Sequence, residues 1–330
     1  MADRDLQVAY LLWAPVGVDV VRRFVSSYRA YSAGAAHRLT LLANGFTGLD
    51  DPRLVAAKLE FEGIEHDEIV LDRPLLDLAA YSVAAERLAP ARCCFLNSYS
   101  AILAPNWLTH LSQAIDLPDV GLAGASGSWG SMRAFVRFQF GLGGAYGRVF
   151  GDRRATTRTL AAIDRRNSPD APPPRFLQGK LITARRTVEQ THGFAPFPAP
   201  HIRTTGFMIE TTTLAQLRAG PLESKIATYR LESGTASITA QVQRLGLRTL
   251  VVDRHGRQFE PGDWPASRTF WQGGQENLMI ADKQTGHYAE VDDAGREVLA
   301  GFAWGERADI APPPAPPTPP SARSEGAGQP

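Results

Sequence analysis

The chain has 330 residues, of which 44% are hydrophobic, enough to bury the core of one large α/β domain or two smaller ones. Its 35 basic and 34 acidic side chains nearly cancel, so no overall field attracts nucleic acid or an anionic membrane. Partners must therefore be recognised by local features of the surface.

The cysteines and the apolar runs indicate the compartment. Cys93 and Cys94 are neighbours on a predicted strand, where they point to opposite faces, so we expect two core residues rather than a disulfide or metal site. The short apolar run near the N-terminus follows Asp3, Arg4 and Asp5, unlike a secretory leader. No run approaches the ~20 apolar residues of a membrane span. We expect a cytoplasmic protein.

Short apolar runs alternate with amphipathic stretches through the first third of the chain. The pattern predicts strands at 6–13, 37–45, 66–72, 92–96 and 120–126, and helices at 18–34, 51–63, 75–89 and 107–115. This alternation indicates parallel βαβ units, and thus a doubly wound α/β fold with a mostly parallel sheet. Ligands of such sheets bind outside the carboxyl ends of the strands. The residues expected to line that cleft are Ala14 and Pro15, Asn44 and Gly45, Asp72, Asn97 to Ser100, and Ser126 to Ser128.

Residues 130–180 interrupt the alternation with many arginine, aromatic and glycine residues, and we interpret them as a helical insertion. One interpretation is a surface for a lipid-linked or anionic acceptor, with peripheral contact at the inner face of the membrane. The other is a solvated helical pair with a Pro-rich loop.

The α/β pattern resumes within residues 202–220. It continues with one helix predicted over 231–246, in which Ile238, Val242 and Leu245 face inward, and with a strand at 247–253. Residues 254–304 carry few regular signals. We therefore expect one domain over residues 1–310, followed by a disordered Pro-rich tail over 311–330.

Several familiar site motifs are absent from the sequence. No Gly-x-Gly-x-x-Gly follows the first strand, and no Gly-x-x-x-x-Gly-Lys-Ser/Thr occurs, which excludes the usual dinucleotide and P-loop sites. There is no Gly-x-Ser-x-Gly elbow, and the seven histidines lack metal-ligand spacing, so a serine or zinc hydrolase is not expected.

Four segments, in this order, carry a family resemblance: FLNSYSAILAPNWLTHLSQAI, VGLAGASGSW, RTTGFMIE and YRLESGTASITAQVQRLGLRTLVVD. Over about residues 5–255 the chain resembles GT-A-fold glycosyltransferases of the family 2 type. The resemblance implies transfer of a hexose from a nucleotide-sugar donor to a glycan or glycolipid acceptor, with inversion, in bacterial surface polysaccharide synthesis.

The resemblance also assigns the catalytic base. The family places an acidic residue ahead of a helix that leads into a glycine and a strand, and that position is Glu232 here. Its role would be to take the proton of the acceptor hydroxyl, which is a poor nucleophile until it is deprotonated. A glutamate at a helix start also favours the helix dipole, and this second interpretation stays open.

The family's metal-binding Asp-x-Asp is replaced here by Asn97-Ser98-Tyr99, with Ser100 beyond. Because Mn²⁺ and Mg²⁺ are normally held by at least one carboxylate, the metal ligands stay unassigned and the cofactor is in doubt. Asn97, Ser98 and Ser100 are expected to bind the donor diphosphate by hydrogen bonds, or else to cap the next turn. Arg203 and Arg268 are candidates to meet its charge, or ordinary salt-bridge residues.

Further positions follow from the resemblance. Pro15, Asn44 and Asp72 end the first three strands, where relatives hold the base and ribose, and Asp77 opens the helix that covers them. Either aspartate could instead cap that helix. Trp129 and Thr204 are the candidate residues for binding the acceptor. Trp129 could equally be a hydrophobic plug.

Three other functions remain open. A nucleotidyltransferase would share the sheet, but its Gly-rich basic loop after the first strand is missing. A non-catalytic nucleotide- or glycan-binding relative would account for the lost Asp-x-Asp. A scaffold using the insertion and the tail would bind no nucleotide.

Overall fold

The computed structural model describes residues 6–134, 191–220 and 222–311. In these ranges an eight-stranded sheet forms the centre of the fold, in the order β11-β10-β6-β9-β4-β1-β2-β3, and two short strand pairs accompany it. The strands are β1 (Leu6–Trp13), β2 (Arg38–Asn44), β3 (Asp67–Val70), β4 (Arg92–Leu96), β5 (Ala101–Ile102), β6 (Val120–Gly124), β7 (Gly127–Ser128), β8 (His201–Ile202), β9 (Phe207–Glu210), β10 (Arg248–Val252), β11 (Gln258–Phe259) and β12 (Ile280–Ala281).

Helices cover both faces of this sheet, so the expected α/β class with a mostly parallel, doubly wound sheet is confirmed. They are α1 (Val18–Ala30), α2 (Pro52–Leu59), α3 (Asp77–Leu88), α4 (Trp107–Ile115), α5 (Thr211–Gln216), α6 (Lys225–Ser233), α7 (Ile238–Arg244), α8 (Trp264–Ser267), α9 (Lys283–Glu290) and α10 (Asp293–Trp304). None of the helices in the described ranges combines the length and apolar content that a membrane crossing requires.

Strand direction brings the expected site residues to one edge of the sheet. Strands β1 to β4 pair in parallel, and β6 pairs in parallel with β10. Between these groups, β9 is antiparallel to both β4 and β6, which therefore point the same way. The carboxyl ends of all six parallel strands consequently meet at a single edge.

Two apolar clusters hold the helices against the sheet, one on each face. Alternation along β1 places Tyr10 in the cluster with α1, α2 and α4, where its ring stacks on Phe24 at 3.8 Å between centroids. Leu11 lies in the cluster with α3, α5, α6 and α7. On β4 the same alternation separates Cys94 from Cys93, and both thiols are buried and free, as predicted.

The single helix predicted over 231–246 is wrong, because two helices occupy this stretch. Gly234 ends α6, and a Cβ there would lie 2.4 Å from the carbonyl oxygen of Arg230. Ser237 then caps α7 by accepting a hydrogen bond from the backbone N–H of Ala240. Leu245, expected to face inward, is exposed beyond the end of α7.

Residues 254–311, called here the C-terminal segment, have more regular structure than the sequence suggested. They contain α8, α9 and α10, with Trp264 and Trp304 fully buried. In addition, β12 pairs with β5, which directly follows the Asn97–Ser100 turn. The C-terminal segment therefore returns to the carboxyl edge of the sheet.

Two interpretations concern residues outside the described ranges. The helical insertion at about 130–180 lies outside them from residue 135 onward, and the Pro-rich tail lies outside them from residue 312 onward.

Candidate active site

The connection between β8 and β9, residues 203–206, threads between the ends of β4 and β6. Gly206 donates its backbone N–H to Phe95 at 3.1 Å and accepts one from Ala125 at 2.8 Å. Its φ of 69° is left-handed, and a Cβ would lie 2.9 Å from the Ile280 side chain, so glycine is needed here. This threading places Arg203, Thr204 and Thr205 at the carboxyl edge.

The Asn97–Ser100 turn is held by its own side chains. Asn97 Oδ1 accepts hydrogen bonds from the backbone N–H of Tyr99 at 2.9 Å and from Ser100 Oγ at 3.4 Å. Ser98 is buried and donates its hydroxyl to the carbonyl of Leu11 at 2.7 Å. These contacts match the turn-capping interpretation, and the predicted contact with a diphosphate stays a prediction.

Asn97 also begins a chain of hydrogen bonds that ends at a buried ion pair. Its Nδ2 donates to Thr205 Oγ1 at 3.0 Å, and Thr205 Oγ1 donates to Asp282 Oδ2 at 2.8 Å. The same Asp282 oxygen accepts from Arg203 Nη2 at 2.7 Å, while the Arg203 guanidinium lies 4.0 Å above the Phe270 ring. Burial opposes ionisation of Asp282, but Arg203 outweighs it and lowers the pKa of that carboxyl.

Glu232 lies in the last turn of α6 and contacts Thr204, the residue that follows Arg203. Its Oε1 accepts two hydrogen bonds from Thr204, one from the backbone N–H at 3.1 Å and one from the hydroxyl at 2.7 Å. The alternative that Glu232 is a charge at a helix start is wrong, because α6 begins at Lys225. Since Thr204 follows Arg203 directly, the residue that holds the Glu232 carboxylate is the chain neighbour of the ion-paired cation.

Two titratable groups near Glu232 have shifted pKa values. Asp77 opens α3, against which α6 packs, and burial raises its pKa to about 6, with the charge of Glu232 adding to the rise. Burial lowers the pKa of His201. Because His201 Nδ1 faces the carbonyl of Ala199 at 2.9 Å, and a carbonyl can only accept, the ring proton lies on Nδ1.

Other predicted donor residues have different surroundings. Asn44 exchanges two hydrogen bonds with the backbone of Leu75 and so fixes the loop before α3, while Pro15 is exposed in a 3-10 turn. Asp72 is exposed and lines a groove between the end of β3, α3 and residues 219–220 and 222–223. Arg268 pairs with Glu276.

The predicted acceptor residue Trp129 packs on the C-terminal segment. Its indole N–H donates to the carbonyl of Pro261 at 2.9 Å, and its ring meets Trp304 edge-on. The structure thus joins Asn97, Arg203, Thr204 and Glu232 in neighbouring contacts. Among the described residues, neither Trp129 nor Arg268 forms a hydrogen bond or ion pair with any of these four, and their roles stay predictions.

The residues at the Asp-x-Asp position do not fit a divalent metal. Asn97, Ser98 and Tyr99 offer no carboxylate, and the nearby Asp282 is already engaged by Arg203. Within the part of the chain that the structure describes, no three His, Cys, Asp or Glu side chains are grouped to hold a metal ion.

Sequence reasoning missed Asp282, Thr205 and Phe270. The spacing Asp282-x-x-Thr285 is a capping signal, and both reciprocal bonds of a capping box are present at the start of α9. This signal could have located the helix. It could not have paired Asp282 with Arg203, which lies 79 residues earlier.

Comparison with protein-family models and with curated proteins gave no match. Among solved structures, the chain is similar to a mannosyltransferase of Pyrobaculum calidifontis in complex with GDP-Man and Mn²⁺. The identity is 7% and the TM-score 0.31, over 37% of this chain and 35% of that one. It is also similar to the S. cerevisiae mannosyltransferase Ktr4p in complex with GDP, with 9% identity and a TM-score of 0.37, over 75% and 69% of the two chains.

A third similar structure is the glucosyl-3-phosphoglycerate synthase of Mycobacterium tuberculosis, in complex with Mn²⁺, UDP and glucosyl-3-phosphoglycerate. It has 14% identity and a TM-score of 0.28, over 37% of this chain and 44% of that one. This chain therefore matches less than half of the length of the Pyrobaculum calidifontis and Mycobacterium tuberculosis proteins. At these low scores the likeness carries no functional argument.

Proposed function

We propose that the chain is a glycosyltransferase that moves a sugar from a nucleotide-sugar donor to a hydroxyl group of a glycan or glycolipid acceptor, with inversion. The observation that carries this proposal is the Glu232 carboxylate, which is fixed at the carboxyl edge of the sheet by Thr204, the chain neighbour of Arg203. The family resemblance of the sequence supports the same assignment.

The geometry of Glu232 suits a general base. Both hydrogen bonds from Thr204 go to Oε1, and among the described residues Oε2 accepts none. Glu232 is only partly buried, and in the proposed reaction the incoming hydroxyl approaches this second oxygen. A base must lie within hydrogen-bond distance of the proton that it removes, and a fixed carboxylate with one open oxygen meets that requirement.

In the proposed reaction the acceptor O–H bond breaks and its proton passes to Glu232. The acceptor oxygen forms a bond to the anomeric carbon of the donor sugar, while the bond from that carbon to the diphosphate breaks. The electron pair of the broken bond leaves with the diphosphate, whose charge needs a cation nearby. Attack opposite the leaving group inverts the anomeric carbon.

The setting of the reaction is proposed from the sequence. Bacterial surface polysaccharide synthesis follows from the family resemblance. The arginine and aromatic content of residues 130–180 favours a lipid-linked acceptor met at the inner face of the membrane.

Calorimetric titration with UDP-, GDP-, dTDP- and CMP-sugars tests this proposal, with wild type, Glu232→Gln and Glu260→Gln. Glu260 pairs with Arg248 at the β11 side of the sheet and serves as the control. We expect all three proteins to bind one class of nucleotide sugar saturably. Slow hydrolysis of that donor is expected only from wild type and the control. Binding of no nucleotide sugar would contradict the proposal and favour a scaffold. Equal hydrolysis by Glu232→Gln would remove Glu232 as the base.

A further inference from the structure

We infer that Arg203 and Lys283 supply the positive charge for the donor diphosphate, so that donor binding does not need a divalent metal ion. This inference rests on the proposed glycosyl transfer and names how the same site binds its donor. It starts from the mismatch between the Asn97-Ser98-Tyr99 turn and the ligand preferences of Mn²⁺ and Mg²⁺.

Asp282 is the carboxylate that comes nearest to replacing the lost acidic residues, but its oxygens are already engaged. Oδ1 accepts the backbone N–H of Thr285 at 2.9 Å, and Oδ2 accepts Arg203 Nη2 and Thr205 Oγ1. A metal ion at Asp282 would have to displace the Arg203 guanidinium, which is a permanent cation in the same place. The site is therefore built around an organic cation.

Arg203 has unused capacity for an anion. It is 8% exposed, and its Nη1 has no hydrogen-bond partner among the described residues. Its backbone N–H donates to the carbonyl of Ser126, whose buried hydroxyl also lacks a partner within the described ranges. A buried donor that is left unpaired is unfavourable, so these two groups favour an additional acceptor such as a phosphate oxygen.

Lys283 provides a second cation on the solvent side of the same turn. It follows Asp282 directly, is exposed, and its Nζ lies 5.6 Å from the centroid of the Tyr99 ring. Arg203 reaches the turn from the buried side, through Asp282, Thr205 and the Asn97 amide. Two cations therefore flank the residues that stand at the Asp-x-Asp position, and both come from outside the Asn97–Ser100 turn.

Asp282 has a positioning role in this arrangement. It fixes the Arg203 guanidinium through Nη2 and leaves Nη1 for the ligand, while the Phe270 ring covers one face of the guanidinium plane. The cation is thus held in one orientation before the donor arrives, which lowers the ordering cost of binding.

The test is titration of UDP, GDP, dTDP and CMP into the full chain, once with EDTA and once with Mn²⁺. Wild type, Arg203→Gln and Lys283→Gln are compared with two controls. Arg92→Gln removes a buried ion-paired arginine from the opposite end of β4, and Lys58→Gln removes a lysine paired with Glu68. Lys283 is exposed, so Lys283→Gln can be read even where Arg203→Gln fails to fold.

For the nucleotide that binds, we expect the Kd in EDTA to lie within about twofold of the Kd in Mn²⁺. Loss of one charge-assisted hydrogen bond predicts about tenfold weaker binding by Arg203→Gln and several-fold weaker binding by Lys283→Gln, with no change in the controls. Binding that is lost in EDTA and restored by Mn²⁺ would overturn this inference and leave the proposed function standing. Binding to no nucleotide in either buffer would overturn both, and unchanged binding by both variants would overturn the assignment of these cations.

Discussion

Thr204 donates two hydrogen bonds to a single carboxylate oxygen of Glu232, at 3.1 Å from its backbone N–H and at 2.7 Å from its hydroxyl. One residue therefore sets both the position and the rotation of the proposed base. A mutation of Thr204 can remove the hydrogen bond from the hydroxyl and leave the hydrogen bond from the backbone N–H in place.

Thr204→Val should lower turnover of the donor at least about tenfold, because a hydrogen bond to a charged carboxylate is worth about 1.5–3 kcal/mol. The fall should appear in kcat rather than in KM for the donor, since Thr204 orients the base and does not hold the nucleotide. Thr204→Ser keeps the hydroxyl and should retain most of the activity. Wild-type kcat in Thr204→Val would contradict the positioning role.

Asp77→Asn should stabilise the protein at alkaline pH. The pKa of Asp77 is raised to about 6 in the folded state, above the unfolded value near ~3.9. The stability that comes with its proton is fully present below about pH 4 and is lost as the pH rises through about 6. The asparagine stays neutral, so the variant should gain on the order of 2 kcal/mol at pH 8 and almost nothing at pH 4.

Urea unfolding at the two pH values measures this difference. Asn can still accept the hydrogen bond that Asp77 Oδ1 receives from the backbone N–H of Leu78, so the local structure is kept. An equal gain at both pH values would show that the raised pKa is not the cause.

Asp282→Asn should destabilise the fold by about 3–5 kcal/mol, because it leaves the buried Arg203 cation without its partner. Asp292→Asn is the matched control. Asp292 caps α10 by accepting the backbone N–H of Gly295 but has no cation against it among the described residues, and asparagine is an equally good cap. Thermal unfolding of both variants checks the prediction, and equal losses would mean that the ion pair contributes little.

Gly206→Ala should be more destabilising than Gly63→Ala. Both glycines have positive φ, at 69° and 77°, but only at Gly206 would the new Cβ meet a neighbour, the side chain of Ile280 at 2.9 Å. The strained φ should cost each variant about 1 kcal/mol. Denaturant unfolding measures the additional loss in free energy of unfolding at Gly206. This loss shows how tightly Ile280 of β12 packs against the 203–206 connection. Equal losses would show that Ile280 can move aside.

The sheet could be predicted from the sequence because its signals are local. Arg92–Leu96 is a strand with the predicted bounds, and the alternation that separates Cys93 from Cys94 is visible in the letters themselves. The break at Gly234 was missed because Ile238 and Val242 have the same apolar helical spacing whether the stretch is one helix or two. At the break Gly234 has extended backbone, and a Cβ there would collide with the carbonyl oxygen of Arg230, so this position needs glycine.

The candidate site could be predicted only in part. Asn97 and Glu232 stand at positions that the family resemblance assigns, and Arg203 was a candidate because arginine offers a permanent positive charge and paired donors to phosphate oxygens. The Arg203–Asp282 pair depends on how the C-terminal segment returns to the sheet edge. The position of this segment depends on contacts between residues far apart in the sequence, and its local sequence patterns are weak. Asp282 and Phe270 were therefore not identified.

Glu232 is proposed to deprotonate the nucleophile in glycosyl transfer. The most direct measurement is single-turnover release of nucleoside diphosphate or monophosphate from bound UDP-, GDP-, dTDP- or CMP-sugars, comparing wild type with Glu232→Gln. We expect release by wild type from one donor class and a rate about 10²–10⁴-fold lower in the variant, with donor affinity unchanged. Release at the same rate by both proteins would contradict this role of Glu232.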